Sequence, residues 1–167
     1  MACAQTLSGL TNDCAASMGG IVEVYIANHA DVTAVTLTDN KVSAITLDTG
    51  KKFKKYAFPR NTGSLSSNYT IDETTGARFV ASDLVLQFNK MDTTKRIEIV
   101  ALAQGNLVAI VEDNNGNKWY LGKDFPVTIN AGDGQTGTAR ADRNGYSITL
   151  RDESAELPFP FTGTIPV

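Results

Sequence analysis

The sequence predicts a mainly β fold, an antiparallel β-sandwich or barrel with one flanking α-helix at about 92–104. Three observations carry this. Turn residues (Asp39-Asn40, Thr49-Gly50, Pro59, Gly76, Asn115-Gly116) punctuate the chain about every eight to ten residues. The runs between them are short and rich in β-branched and aromatic residues. Only one segment has helical spacing with capping residues at both ends.

The 167 residues favour one domain with a real core. The expected division is an N-terminal arm at 1–19, a single β-rich domain at 20–161 and a short C-terminal tail at 162–167. The arm lacks a sustained period and ends in Gly19-Gly20. GIVEVYIAN (20–28) reads as a buried strand, and VTAVTLT (32–38) and VSAITLD (42–48) flank Asp39-Asn40 as a strand pair. KKFKKYAF (51–58) reads as a further strand. SLSSNYTID (64–72) and ARFVASDLVLQFN (77–89) form a hairpin, with Leu84, Leu86 and Phe88 on one apolar face.

The segment from Asp92 to Gly105 breaks the β rhythm. Asp92 is placed as N-cap and Gly105 just past the C-terminus. Ile97, Val100 and Ala101 share one helical face, and Ile99, Leu102 and Ala103 an adjacent one. Beyond it, LVAIVED (107–113) and KWYLG (118–122) flank Asn115-Gly116, the strongest short hairpin signal. PVTIN (126–130), TGTARAD (136–142) and GYSITLRDES (145–154) complete the expected strands. Leu157-Pro-Phe-Pro-Phe161 is excluded from any central position by its prolines.

Gly132, Gly134 and Gly137 match the G-x-G-x-x-G spacing of a dinucleotide loop. That loop requires a helix after the last glycine. Here turn residues arrive first, so the glycines are expected in a flexible connection between two antiparallel strands. His29 is the single histidine, and Cys3 and Cys14 are the only cysteines, which argues against a zinc site. Asp152, Glu153 and Glu156 read as a solvated acidic edge, and 113–117 as a turn. No catalytic constellation is legible, so no enzymatic activity and no cofactor are expected.

A net charge of −3 argues against a dedicated nucleic-acid binder. No apolar run is long enough for a membrane helix, and the N-terminus has no signal-peptide pattern. The one dense basic run is Lys51, Lys52, Phe53, Lys54 and Lys55. Lysines protect an exposed edge, and interleaved aromatics can stack on bases. Ranked above nucleic acid is contact with an acidic patch on a neighbouring subunit, which makes these five residues the candidate subunit contacts.

GGIVEVYIAN, KKYAFPRNTGSLSSNYTID, the stretch from Asp83 to Asp124 and YSITLRDESAELPFPF together resemble small virion proteins of tailed bacteriophages of gut Bacteroidales, including crAss-like phages. In outline the chain is similar to the tail-tube fold of tail tubes and neck proteins. The resemblance implies a β-sandwich or barrel with one helix on its flank. It also implies a homo-oligomeric ring, commonly hexameric, that stacks into a conduit through which DNA passes without specific binding. Localisation in the virion tail or neck, after synthesis in the host bacterial cytoplasm, follows from the same resemblance, as do partners among other tail or neck proteins. It further implies that the connection at 49–63 reaches the adjacent ring. The rival reading is a receptor- or glycan-binding sandwich, with Trp119 and Tyr120 as its candidate aromatics.

Overall fold

The computed structural model describes residues 7–12 and 14–167. In chain order the elements are β1 (Ile21–Asn28), β2 (Val32–Thr38), β3 (Lys41–Leu47), β4 (Lys54–Tyr56), β5 (Ser64–Asp72) and β6 (Ala77–Asn89). There follow α1 (Thr93–Gln104), β7 (Leu107–Asp113), β8 (Lys118–Leu121), β9 (Thr128–Gln135), β10 (Gly145–Ser154) and β11 (Phe159–Pro160). They build a five-stranded sheet ordered β11-β8-β7-β1-β4, a four-stranded sheet ordered β5-β6-β10-β9, and the separate hairpin β2-β3. The sheets are antiparallel and close into no barrel, so the fold is a β-sandwich with one α-helix.

The five-stranded sheet is the middle layer, because its strands are apolar on both faces. In β7, Leu107, Ala109 and Val111 point toward the four-stranded sheet, where they meet Leu84, Leu86, Ile148 and Leu150. Val108 and Ile110 point the other way, into a second core with Val42, Ile45, Phe53 and Phe161. A short run that is apolar at every position fits a strand covered on both sides. β8 divides in the expected manner, Leu121 entering the first core and Tyr120 the second.

The Asp92 side chain accepts from the Lys95 N–H at 2.8 Å and caps α1 as expected. Gly105 ends the helix in an extended conformation, φ −90 and ψ 150, rather than a left-handed one. Of the two apolar helix faces, Leu102 and Ile99 pack on the first core. Ile97 and Val100 stay exposed.

Two expectations need correction, and two further segments are placed by the structure. The strand at 51–58 is confined to Lys54–Tyr56, because Phe53 leaves the edge and the chain turns at Pro59. Residues 136–142 form a loop; β9 covers 128–135, so Gly132 and Gly134 sit inside a strand. The tail at 162–167 packs back onto the domain: Thr162 N donates to Val42 O, Phe53 N donates to Pro166 O, and Ile165 joins the second core. The connection at 49–63 is tied down by β4 pairing with β1, with Phe53 and Gly63 buried. The distal half of the β5–β6 hairpin is exposed from Asn68 to Arg78.

Of the arm, residues 1–6 and 13, including Cys3, lie outside the described residues. Leu7, Leu10 and Cys14 are exposed. The arm is anchored at its root, where Met18 N donates to Asn115 Oδ1 and Asn114 Nδ2 donates to Gly19 O.

Candidate assembly surface

The run Lys51–Lys55 is split by the alternation of β4. Lys54 and Tyr56 face the helix side of the sheet, while Phe53 and Lys55 face the β2–β3 side. Phe53 is 2% exposed, so it is withdrawn from the candidate subunit contacts. The physical reason is its size: burying an aromatic contributes about 2–3 kcal/mol, more than a lysine-rich edge gains from displaying it. Lys55 is engaged within the chain, bonding to Glu23 and lying 5.9 Å from the centre of the Tyr25 ring. That lysine and the Tyr25 hydroxyl hold the Glu23 carboxyl below its usual range, and the same hydrogen bond raises Tyr25 to about 12. Lys51 approaches Asp31 at 3.4 Å. Lys52 and Lys54 make no ion pair among the described residues and remain available.

Lys51, Lys52, Lys54 and Tyr56 line a groove of about 330 Å³ between β4 and α1, with Glu98 and Ala101 of the helix on its other wall. The Tyr56 hydroxyl donates to Glu98 and ties the helix to the sheet edge. Burial and that carboxylate both raise the Tyr56 pKa, so the hydroxyl keeps its proton at neutral pH.

The four-stranded sheet offers a feature that reasoning on the lysine run missed. Its two edges are β5, nine residues, and β9, eight residues, and neither pairs with a further strand among the described residues. β5 contains no lysine and no proline, and β9 none either. β9 has a register irregularity opposite Thr149 and Leu150 and meets α1, whereas β5 has neither; an edge strand without such protection is a template for pairing with another chain.

The outward face of this sheet is largely polar. Ser64, Ser66, Asn68 and Thr70 lie on it along β5, and Ser147, Thr149, Arg151 and Glu153 along β10. Its acids are Asp72, Asp83, Asp133 and Glu153. Its one strand cation, Arg151, donates from Nε and Nη2 to both Asp83 oxygens, at 2.8 and 2.9 Å. The Asp83 carboxyl is held below its ordinary range chiefly by those bonds. No lysine stands on this face among the described strand residues.

The other candidates are accounted for locally. After Gly137 the amides of Thr138 and Ala139 donate to Asp142 Oδ2, so a carboxylate of the chain occupies the donors a phosphate would need. Asp113 holds its own turn, accepting from the N–H groups of Asn115 and Asn117 and from Trp119 Nε1. Tyr120 is buried and Trp119 half-buried, while Tyr69 and Phe125 are the exposed aromatics. Asp152 departs from the expected acidic edge. It is 2% exposed beside the buried Ser82 and Ser154, and its Oδ1 has no hydrogen-bond partner. Burial raises its pKa to about 6. The alternation Ile148, Leu150, Asp152 was the signal that it points inward. Among the described residues no cluster of three or more metal-ligating side chains occurs, and no helix is long and apolar enough to cross a membrane.

No protein-family model matches the chain, and no curated protein and no solved structure matches it.

Proposed function

We propose that this chain is a virion structural protein that self-assembles into a ring, the repeating unit of a phage tail tube or neck conduit. The observation that carries this reading is the four-stranded sheet, whose edge strands β5 and β9 pair with no further strand among the described residues. Four alternating strands leave β5 and β9 running in opposite directions. A rotation that preserves strand direction therefore sets the β5 edge of one copy antiparallel to the β9 edge of the next. The junction repeats the pairing already present within the sheet. Such a contact is heterologous, and it forms a closed ring when the rotation closes.

The outward face supports the conduit. With Arg151 paired to Asp83, Arg143 paired to Asp133 and no lysine on its strands, it offers DNA little cationic grip, since phosphate binding requires basic neutralisation. Hexameric closure, the tail or neck position and the partners there rest on the sequence resemblance. Negative-stain electron microscopy of the purified chain tests the reading. Discrete rings of one size are expected, and a population of isolated monomers at high concentration would contradict it.

A second reading, a glycan-binding sandwich within a virion, rests on Phe125. It stands exposed on a groove of about 640 Å³ that also contains Phe79, Arg78, Asn130 and Glu153. Glycan-array binding by a chain that stays monomeric would favour it.

A further inference from the structure

The N-terminal arm leaves the domain at the lip of a groove. Met18, Gly19 and Gly20 line a cleft of about 430 Å³ that also contains Leu65, Trp119 and Leu157. The root of the arm is clamped there. The Asn115 side chain meets both backbone groups of Met18, accepting from its N–H at 2.8 Å and donating to its carbonyl at 3.0 Å. Asn114 holds the next two carbonyls, its Nδ2 donating to Gly19 O and its backbone N–H to Gly20 O.

The groove selects its occupant by what it lacks. No lysine, arginine or histidine lines it, and its one charged residue is Asp113. That carboxylate is already taken by the N–H groups of Asn115 and Asn117 and by Trp119 Nε1. The Ser67 hydroxyl is likewise paired, with Ser82 at 2.8 Å. What remains open is apolar: Trp119 is half-buried, and Met18 and Leu157 are exposed. An uncharged, apolar segment fits such a cleft.

The arm itself carries that segment. Residues 7–12, Leu-Ser-Gly-Leu-Thr-Asn, have no charge, and Leu7 and Leu10 are 89% and 103% exposed. Gly9 has φ +75 and turns the chain between them, so they are not sent to opposite sides as in a strand. Leu10 stands eight residues before Met18. A chain of that length reaches up to about 26 Å, which allows a return to the lip from which it starts.

We propose that residues 7–10 fold back as a strap, seating Leu7 and Leu10 in the groove of their own chain against Leu65, Trp119 and Leu157. The tether favours this occupant over the arm of a second copy, because it holds the leucines at a high effective concentration beside the cleft. Burial of two leucines is closely opposed by the entropy lost in ordering the segment, so closure is reversible. The closed strap lies against Ser64, Leu65 and Ser67 at the start of the edge strand β5. A strand from another chain must therefore displace it before pairing there. This last consequence rests on the ring reading; the closure itself does not.

Trp119 is the single tryptophan of the chain, so its fluorescence reads the groove directly. The test compares the full wild-type chain with Leu7→Ser plus Leu10→Ser, as dilute protein, by emission wavelength and acrylamide quenching. The serine variant is expected to emit further to the red and to be quenched more readily, with an unchanged circular dichroism spectrum. Leu7→Met plus Leu10→Met, similar in volume, is expected to keep the protection. Equal quenching of wild type and the serine variant would overturn the strap. Protection of wild type that disappears on dilution would overturn it in favour of the arm of a second copy. Native mass spectrometry tests the consequence: the serine variant is expected to assemble at lower protein concentration than wild type. Assembly at the same concentration would overturn the obstruction of β5. Absence of assembly in both proteins would sink the ring reading and that obstruction with it, while the Trp119 measurement still decides the strap.

Discussion

Leu102 and Ile97 sit on the same helix, less than two turns apart, yet Leu102 is 4% exposed and Ile97 58%. The difference defines which face of α1 packs on the domain and which it leaves exposed. Leu102→Ala is expected to cost about 2–5 kcal/mol, because it opens a cavity in the first core. Ile97→Ala is expected to change stability by less than about 0.5 kcal/mol. Chemical denaturation of the two variants beside wild type checks both.

Asp152 gives the domain a pH signature. Its folded pKa of about 6 lies above the ordinary 3.8, so the folded state holds a proton that the unfolded state has released between those values. Stability from this group is therefore complete below pH 4, declines as pH rises to 6, and stays lost at neutrality. The shift corresponds to roughly 3 kcal/mol at most. Asp152→Asn is expected to be more stable than wild type at pH 7, with the gap vanishing near pH 4. Carboxylates held low by their partners, such as Glu23 and Asp83, act in the opposite sense in both proteins and cancel in the difference. An equal gap at both pH values would show that Asp152 ionises normally.

Gly145 begins β10 where a Cβ would stand 2.0 Å from the Phe88 carbonyl oxygen. Backbone cannot swing away, so Gly145→Ala is expected to destabilise by about 1–3 kcal/mol. At Gly134 the nearest atoms belong to the Tyr146 ring at 2.9 Å, a side chain able to shift, so Gly134→Ala should cost less. Thermal melts of the two variants give the comparison. Millimolar nucleotide should move neither melt nor that of wild type; a shift of several degrees would mean that the glycines bind phosphate after all.

Much of the fold was legible because it rests on local signals. Period-two alternation and turn residues set the bounds of β2, β5, β6 and β10 where the structure has them. The Asp92 cap and the spacing of Ile99 and Leu102 set the helix. The failures have a common cause in contacts between residues far apart in sequence. Phe53, inside a lysine run, is buried because residue 166 and the β2–β3 hairpin close over it. Residues 136–142 have the β-branched residues of a strand, but Asp142 gathers their amides into a turn. The open edges of β5 and β9 could not be seen at all, since an edge is defined by a strand that does not pair with it. The lysine run drew attention to the right region, yet only the register of β4 separates Lys54, which faces the groove, from Lys55, which is spent on Glu23.

The central claim is that β5 of one copy pairs with β9 of the next. Ser66 and Asn68 are exposed on β5, so lysines placed there protect the edge without entering the core. The most direct measurement is native mass spectrometry of wild type beside Ser66→Lys with Asn68→Lys. Wild type is expected as a closed oligomer of one copy number, and the variant as a folded monomer with an unchanged melting temperature. A monomeric wild type, or a variant that still closes into the same oligomer, would contradict the account.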